Sequence, residues 1–159
     1  MRRWQLLLAL PALLLLACSS SEGSKTLTLG SLTYNSHGTK SVKGKSSFDL
    51  EADSFYFEPT FLRGDPGQKI ELEVENDSKT VTHNISVPGQ SVNMDVAPKQ
   101  KVDVTVTIPQ SGAAIFFCRF HTGQGMNGEL LAGDTQPQPV NAPAPAGSPR
   151  SQVPSSPRY

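Results

Sequence analysis

Two stretches of the chain alternate strictly between apolar and polar positions. Ile70, Leu72 and Val74 stand between Glu71, Glu73 and Glu75, and Val102, Val104, Val106 and Ile108 stand between Asp103, Thr105 and Thr107. A period of two sends successive side chains to opposite faces, so both stretches predict half-buried strands. Shorter strand-like runs fall at 48–52 (FDLEA), 55–57 (FYF), 81–87 (VTHNISV), 92–96 (VNMDV), 113–118 (AAIFFC) and 129–132 (ELLA). Turn signals separate them at Gly64-Asp65-Pro66-Gly67, Pro88-Gly89, Ala97-Pro98 and Pro109-Gln110-Ser111-Gly112. Seven or eight short strands, with almost no helical pattern, predict an all-β fold over 46–134: a single-domain antiparallel sandwich or barrel of Greek-key type.

The flanks have a different pattern. Arg2 and Arg3 precede a 12-residue apolar run, Leu6 to Ala17, which has the basic and apolar regions of an export signal. The run is too short to span a bilayer, for which ~20 apolar residues are needed. It ends in Leu15-Leu16-Ala17-Cys18, which resembles a bacterial lipobox. Residues 1–17 are therefore expected to be a lipoprotein signal, and Cys18 the lipidated anchor on a membrane of the cell envelope, at its periplasmic or extracellular face. Residues 18–45, rich in Ser, Thr, Gly and Lys, read as the anchor residue and a linker. Within it Thr26-Leu27-Thr28-Leu29 could pair with the sheet as a strand, and Asn35 to Gly38 looks like a turn. Residues 135–159 hold seven of the thirteen prolines and no Leu, Ile or Phe, a composition that cannot bury a core and reads as a disordered Pro-rich tail.

Charge sharpens this division. Fourteen Lys plus Arg balance fourteen Asp plus Glu, which removes any electrostatic case for nucleic-acid binding. Residues 46–134, however, carry 13 acidic against 6 basic side chains, a net of −7, while 19–45 has four lysines against Glu22, a net of +3. An acidic domain favours partners with basic docking faces, in encounters that weaken as salt screens them.

The two cysteines narrow the chemistry. With Cys18 lipidated, Cys118 is the only free thiol in an oxidising compartment, so it cannot form an intramolecular disulfide and needs burial or a metal to protect it. It begins the segment Cys118-Arg119-Phe120-His121-Thr122-Gly123-Gln124-Gly125-Met126, a C-x-x-H-x-x-x-x-M spacing that sets a thiol, an imidazole and a thioether on a strand end and one tight loop. His83 lies 35 residues upstream on another strand. Two histidines and one cysteine in a plane, with a weak axial methionine, are the donors of a blue-copper electron-transfer site. Thiolate and thioether suit Cu(I), imidazole suits both oxidation states, and a rigid sandwich holds the geometry nearly constant as the electron arrives. His37, in Tyr34-Asn35-Ser36-His37-Gly38, reads as a turn residue, and Met94, alternating with Val92 and Val96, as core. A Cys118/His121 catalytic pair would lack an orienting third residue and an oxyanion hole.

From FYFEPTFLRGDPGQKIELEVEN through His83-Asn84 to IPQSGAAIFFCRFH and GMNGEL, residues 55–134 resemble the cupredoxins of plastocyanin and pseudoazurin type. The resemblance implies that His83, Cys118, His121 and Met126 ligate one mononuclear type 1 copper ion. It also implies that Asn84 ties the ligand loops together by hydrogen bonds. Phe120 stands where many members have proline. Three histidines in total cannot supply the His-x-His pairs of multicopper oxidases, and the single cysteine of the ligand loop excludes a binuclear centre. The expected protein is a monomeric, membrane-tethered carrier of single electrons between redox proteins and not an enzyme. The alternative is an envelope protein that delivers or sequesters copper.

Overall fold

The computed structural model describes residues 25–140. The signal run, Cys18 and most of the Pro-rich tail lie outside the described residues.

Two sheets pack face to face around the main core. The smaller has the order β10 (Lys101–Thr107), β7 (Lys69–Asn76), β4 (Ser47–Asp53), β5 (Tyr56–Glu58). The larger has the order β3 (Thr39–Ser41), β6 (Phe61–Gly64), β12 (Asn127–Ala132), β11 (Ala113–Phe117), β8 (His83–Val87), β9 (Val92–Val96). A separate hairpin, β1 (Lys25–Leu29) and β2 (Leu32–Ser36), lies against the outer face of the larger sheet. The alternation expected for β7 and β10 is observed: Ile70, Leu72, Val74, Val104 and Val106 are buried, and the intervening acidic and threonine positions face outward.

Pairing is mixed, where a purely antiparallel fold was expected. β4 runs parallel to β7, and β6 runs parallel to both β12 and β3. The reason lies in the path of the chain, which leaves β4 and β5, crosses to the other sheet for β6, and returns for β7. Strands that become neighbours after such an excursion need not reverse direction as hairpin partners must.

β12 is buried along its whole length because it serves two cores. Leu130 and Ala132 face the main core, while Leu131 joins Leu32, Tyr34, Phe61 and Ile115 in a second cluster beneath the hairpin. Gly128 permits the closest approach, since a Cβ there would lie 2.2 Å from the Phe116 ring and 2.6 Å from the Thr60 carbonyl. Phe116 in turn meets Phe57 edge to face at 5.1 Å.

Three expectations are corrected by this packing. Residues 25–45 are not linker: they form β1, β2 and β3, with Tyr34 and Val42 fully buried. Asn35 lies within β2 and not in a turn. Met94, expected in the core, is 46% exposed. It sits mid-strand in β9, an edge strand, where Val92 and Val96 rather than Met94 meet the core. The tail is tied down at its start, where Gln138 N–H donates to Glu129 and Val140 packs on the second cluster. Among the described residues no helix is long and apolar enough to cross a membrane.

Candidate metal centre

His83 opens β8, and Asn76 fixes the loop that delivers it. The fully buried Asn76 amide donates to the carbonyls of Val81 and Val96, each at 2.8 Å, and its oxygen accepts from Ser78 N–H at 2.9 Å. The chain must therefore enter β8 at one height, with the His83 imidazole turned inward. Cys118 follows β11 directly, at the mouth of a loop closed by its own backbone. Cys118 N–H donates to Met126 O at 3.0 Å, His121 N–H to Cys118 O at 3.0 Å, and Met126 N–H to His121 O at 3.2 Å. A single 3-10 turn, Thr122–Gln124, lies between, and Gly125 ends it at φ +91°, a conformation that favours glycine.

These elements bring together His83, Cys118 and His121, three of the side chains expected from the sequence. One donor atom each from His83, Cys118 and His121 lies within 4.8 Å of the others. Cys118 Sγ is 3.3 Å from His121 Nδ1, and the two imidazole rings lie 5.1 Å apart at 71°. Met126 is fully buried in the same core cluster as Cys118, and the closed loop draws its backbone onto Cys118. His83 is 1% exposed, yet neither of its ring nitrogens has a hydrogen-bond partner. A buried imidazole left without partners forfeits about 1–3 kcal/mol unless something else binds it.

Electrostatics point the same way. Burial pushes the His83 pKa down, helped by His121, against a smaller opposing pull from Asp53, and burial also lowers that of His121. Both rings are therefore neutral near pH 7 and have lone pairs to give. Burial pushes the Cys118 thiol up, opposed by the backbone N–H groups of Phe120, Asn84 and His121. Those donors are ready for a thiolate, which becomes the favoured form only beside a cation. Two neutral imidazoles, a thiol with donors around it and a buried thioether fit copper.

Asn84 follows His83 on β8 and is fully buried. Its amide donates to Asn93 Oδ1, Met94 O and Asp95 Oδ1 at 2.9–3.0 Å, and its oxygen accepts from Ser86 Oγ at 2.7 Å and from Arg119 N–H at 3.4 Å. It thus joins β8, β9 and the residue after Cys118. Arg119 extends the link, pairing with Asp95 at 2.6 Å and covering the Phe120 ring at 4.6 Å. Phe120 is 48% exposed beside the partly exposed His121.

His37 is not brought to this site. It stacks on Tyr56 at 3.7 Å, with Nδ1 3.2 Å from Glu58. Three other residues went unnoticed in the sequence. The Phe55 ring lies 4.8 Å from His121 and 6.5 Å from His83. Asn127 exchanges hydrogen bonds with Thr122 and donates to Thr33 O at 2.7 Å. Asn35 reaches the ligand loop from β2. The available signal was the alternation of Leu27, Leu29, Leu32 and Tyr34 around Gly30-Ser31, a hairpin pattern with a two-residue turn.

A two-sheet all-β domain that gathers these donors at one end of its core is the scaffold of a small mononuclear copper protein. The chain belongs to the cupredoxin-like domain family, which matches residues 7–132. Among solved structures, the metal-binding domain of the Cu(I)-exporting P-type ATPase of Streptococcus pneumoniae D39, determined with Cu(I), is similar at 13% identity and a TM-score of 0.50, covering 61% of this chain and 99% of that one. Reduced auracyanin from Roseiflexus castenholzii is 16% identical, with a TM-score of 0.49, over 56% of this chain and 98% of that one. Auracyanin A from Chloroflexus aurantiacus is 18% identical, with a TM-score of 0.45, over 60% of this chain and all of that one. Among curated proteins, none matches the chain.

Proposed function

We propose that the protein carries single electrons between redox proteins of the cell envelope, with one copper ion held by His83, Cys118, His121 and Met126. The observation that carries this reading is the buried His83, both ring nitrogens unpartnered, within 4.8 Å of the donor atoms of Cys118 and His121. Copper in such a donor set supplies a one-electron couple between Cu(II) and Cu(I). The chain's own residues do the rest. His83, Cys118 and Met126 exclude water, and the loop bonds between Cys118, His121 and Met126 hold the donors in nearly fixed places. Four protein donors leave no open position for a substrate, which favours a carrier over an enzyme.

His121 reaches the surface beside exposed Phe120, and this edge is the proposed point of electron entry or exit. The acidic character of the domain is concentrated on the outer face of the smaller sheet. Asp49, Glu73 and Asp103 stand side by side across three strands, as do Glu58, Glu51 and Glu75. Lys101 pairs with Glu73 and Glu75, but like charges directly opposite one another remain along this face, an arrangement that destabilises a sheet and supports a partner that brings basic side chains. Tethering through a lipid on Cys18 completes the proposal and rests on the sequence alone.

Titration of the purified protein with Cu(II), followed by visible absorption and paramagnetic resonance, tests this function. The expected result is one equivalent bound, with an intense thiolate-to-copper band that reductant bleaches reversibly. Colourless binding would overturn the carrier reading in favour of copper handling. Metabolic labelling with a fatty-acid analogue, expected for the native chain and lost in Cys18→Ser, tests the anchor.

A further inference from the structure

The hairpin β1–β2 adds to the sandwich from outside, and one of its side chains touches both halves of the metal centre. The Asn35 amide nitrogen donates to Phe55 O and to Gln124 O, each at 2.9 Å, while Asn35 N–H donates to Gly125 O at 2.9 Å. Two carbonyl acceptors on one side fix the orientation of the amide, since only its NH2 can serve both. The fit is close: a Cβ on Gly125 would lie 2.8 Å from the Asn35 side-chain oxygen.

Each partner matters to the site. Gln124 and Gly125 immediately precede Met126. Phe55 covers the two imidazoles, and with Ser54 it sits in the left-handed region, at φ +66° and +40°. A non-glycine residue held there costs about 1–2 kcal/mol and persists only where its surroundings hold it. The Asn35 bond to the Phe55 carbonyl is such a hold.

We infer that Asn35 is a positioning residue of the copper centre, a single side chain on the N-terminal hairpin that holds both the Met126 loop and the Phe55 ring over His83 and His121. The inference rests on the copper reading above. Partners bonded directly to metal ligands typically contribute about 10–100-fold to metal affinity, and Asn35, which bonds to the segments flanking the ligands, is expected at the low end of that range. A thioether held near copper would tune its colour and potential, so loosening the loop that carries Met126 would alter both.

The test compares native protein, Asn35→Ala, Asn35→Thr and Tyr34→Phe, each loaded with copper. Threonine keeps a strand-forming residue in β2, so one variant without the amide folds even if alanine loosens the hairpin. Tyr34→Phe removes a buried hydrogen bond to Glu129 on the same strand without touching the loop, and so reports destabilisation alone. A coloured native complex is the condition that the copper reading must meet; its absence would sink that reading whatever Asn35 does. Given that colour, both Asn35 variants are expected to lose about tenfold or more in copper affinity against a competing chelator. They should also change the ratio of the thiolate bands and the midpoint potential, while Tyr34→Phe keeps the native spectrum and potential. Native spectra and potentials in both Asn35 variants, or an equal change in Tyr34→Phe, would overturn the inference.

Discussion

The two faces of the larger sheet each bury a titratable side chain, and they treat it in opposite ways. On the inner side His83 has no hydrogen-bond partner at either nitrogen. On the outer side Glu129, also fully buried, accepts from Tyr34 OH at 2.7 Å and from Gln138 N–H at 3.2 Å, so both its oxygens are served. The pKa of each is pushed toward the neutral form chiefly by burial, down for His83 and up for Glu129. What separates a structural polar group from a functional one is therefore not burial or titration but whether the fold supplies its partners. Glu129 is completed by the hairpin and the start of the tail, whereas His83 is left for something the chain does not contain.

The sharpest way to break this comparison is to give both positions leucine. His83→Leu is expected to abolish the coloured copper complex, as Cys118→Ser should, with loss of the absorption band as the readout. In metal-free protein the same change should leave stability unchanged or raise it by about 1–2 kcal/mol, because an unpartnered imidazole is replaced by a group that needs no partner. Glu129→Leu should do the reverse. It leaves Tyr34 OH and Gln138 N–H without acceptors, a cost of about 1–3 kcal/mol in denaturant melts, and it leaves the copper spectrum intact. A destabilised His83→Leu metal-free protein would show that His83 is held by the fold after all.

Copper removal probes the same asymmetry with a somewhat smaller effect. A ligand at a hundredfold over its dissociation constant stabilises the folded state by about 2.7 kcal/mol. Chelation should therefore lower the melting temperature of the native protein and leave that of His83→Leu unmoved. Equal melting with and without copper in the native protein would mean that the ion does not bind where the unpartnered ring lies.

The inner side was the more legible of the two in the sequence. Strict alternation in 70–75 and 102–108 marked strands of the sandwich, and the C-x-x-H spacing with His83 upstream pointed to the three side chains whose donor atoms the fold gathers, because strand phase and the spacing within one loop are local properties. The outer side was not legible for the opposite reason. The second core depends on Leu131 and Ile115 meeting Leu32 and Tyr34 from far away in the chain, and it is this hairpin that covers the outer face of β12. The polar composition of 19–45 obscured the Leu27, Leu29, Leu32, Tyr34 pattern. Parallel pairing of β4 with β7 is likewise a matter of chain path, which no local pattern records. Asn35 acts on the ligand loop only through the hairpin, and Asn127 ties that loop to the hairpin through its bond to Thr33 O, so these links were invisible in a sequence where both stand among turn-forming residues.

The gentlest probe acts on Glu129 alone. Because burial raises its pKa in the fold, the folded state holds a proton that the unfolded state has already released once pH rises past the ordinary carboxylate value. The slope of unfolding free energy with pH follows protons bound unfolded minus protons bound folded. It is negative in the window between the ordinary and the raised value, so this group's share of stability falls as pH rises through that window. Glutamine cannot ionise. Its oxygen still accepts from Gln138 N–H, while its amide donates to a Tyr34 hydroxyl that turns from donor to acceptor. Glu129→Gln should therefore match the native protein in acid and gain on it by ~1 kcal/mol or less as pH climbs, the scale of one net hydrogen bond. Every other titrating group is common to both proteins, so the difference between their metal-free melting temperatures across pH isolates this carboxyl. A constant difference would mean that Glu129 ionises in the fold as readily as in water and that its two donors fully offset its burial. Only a difference that opens with rising pH fits a carboxyl kept neutral by the hairpin that covers it.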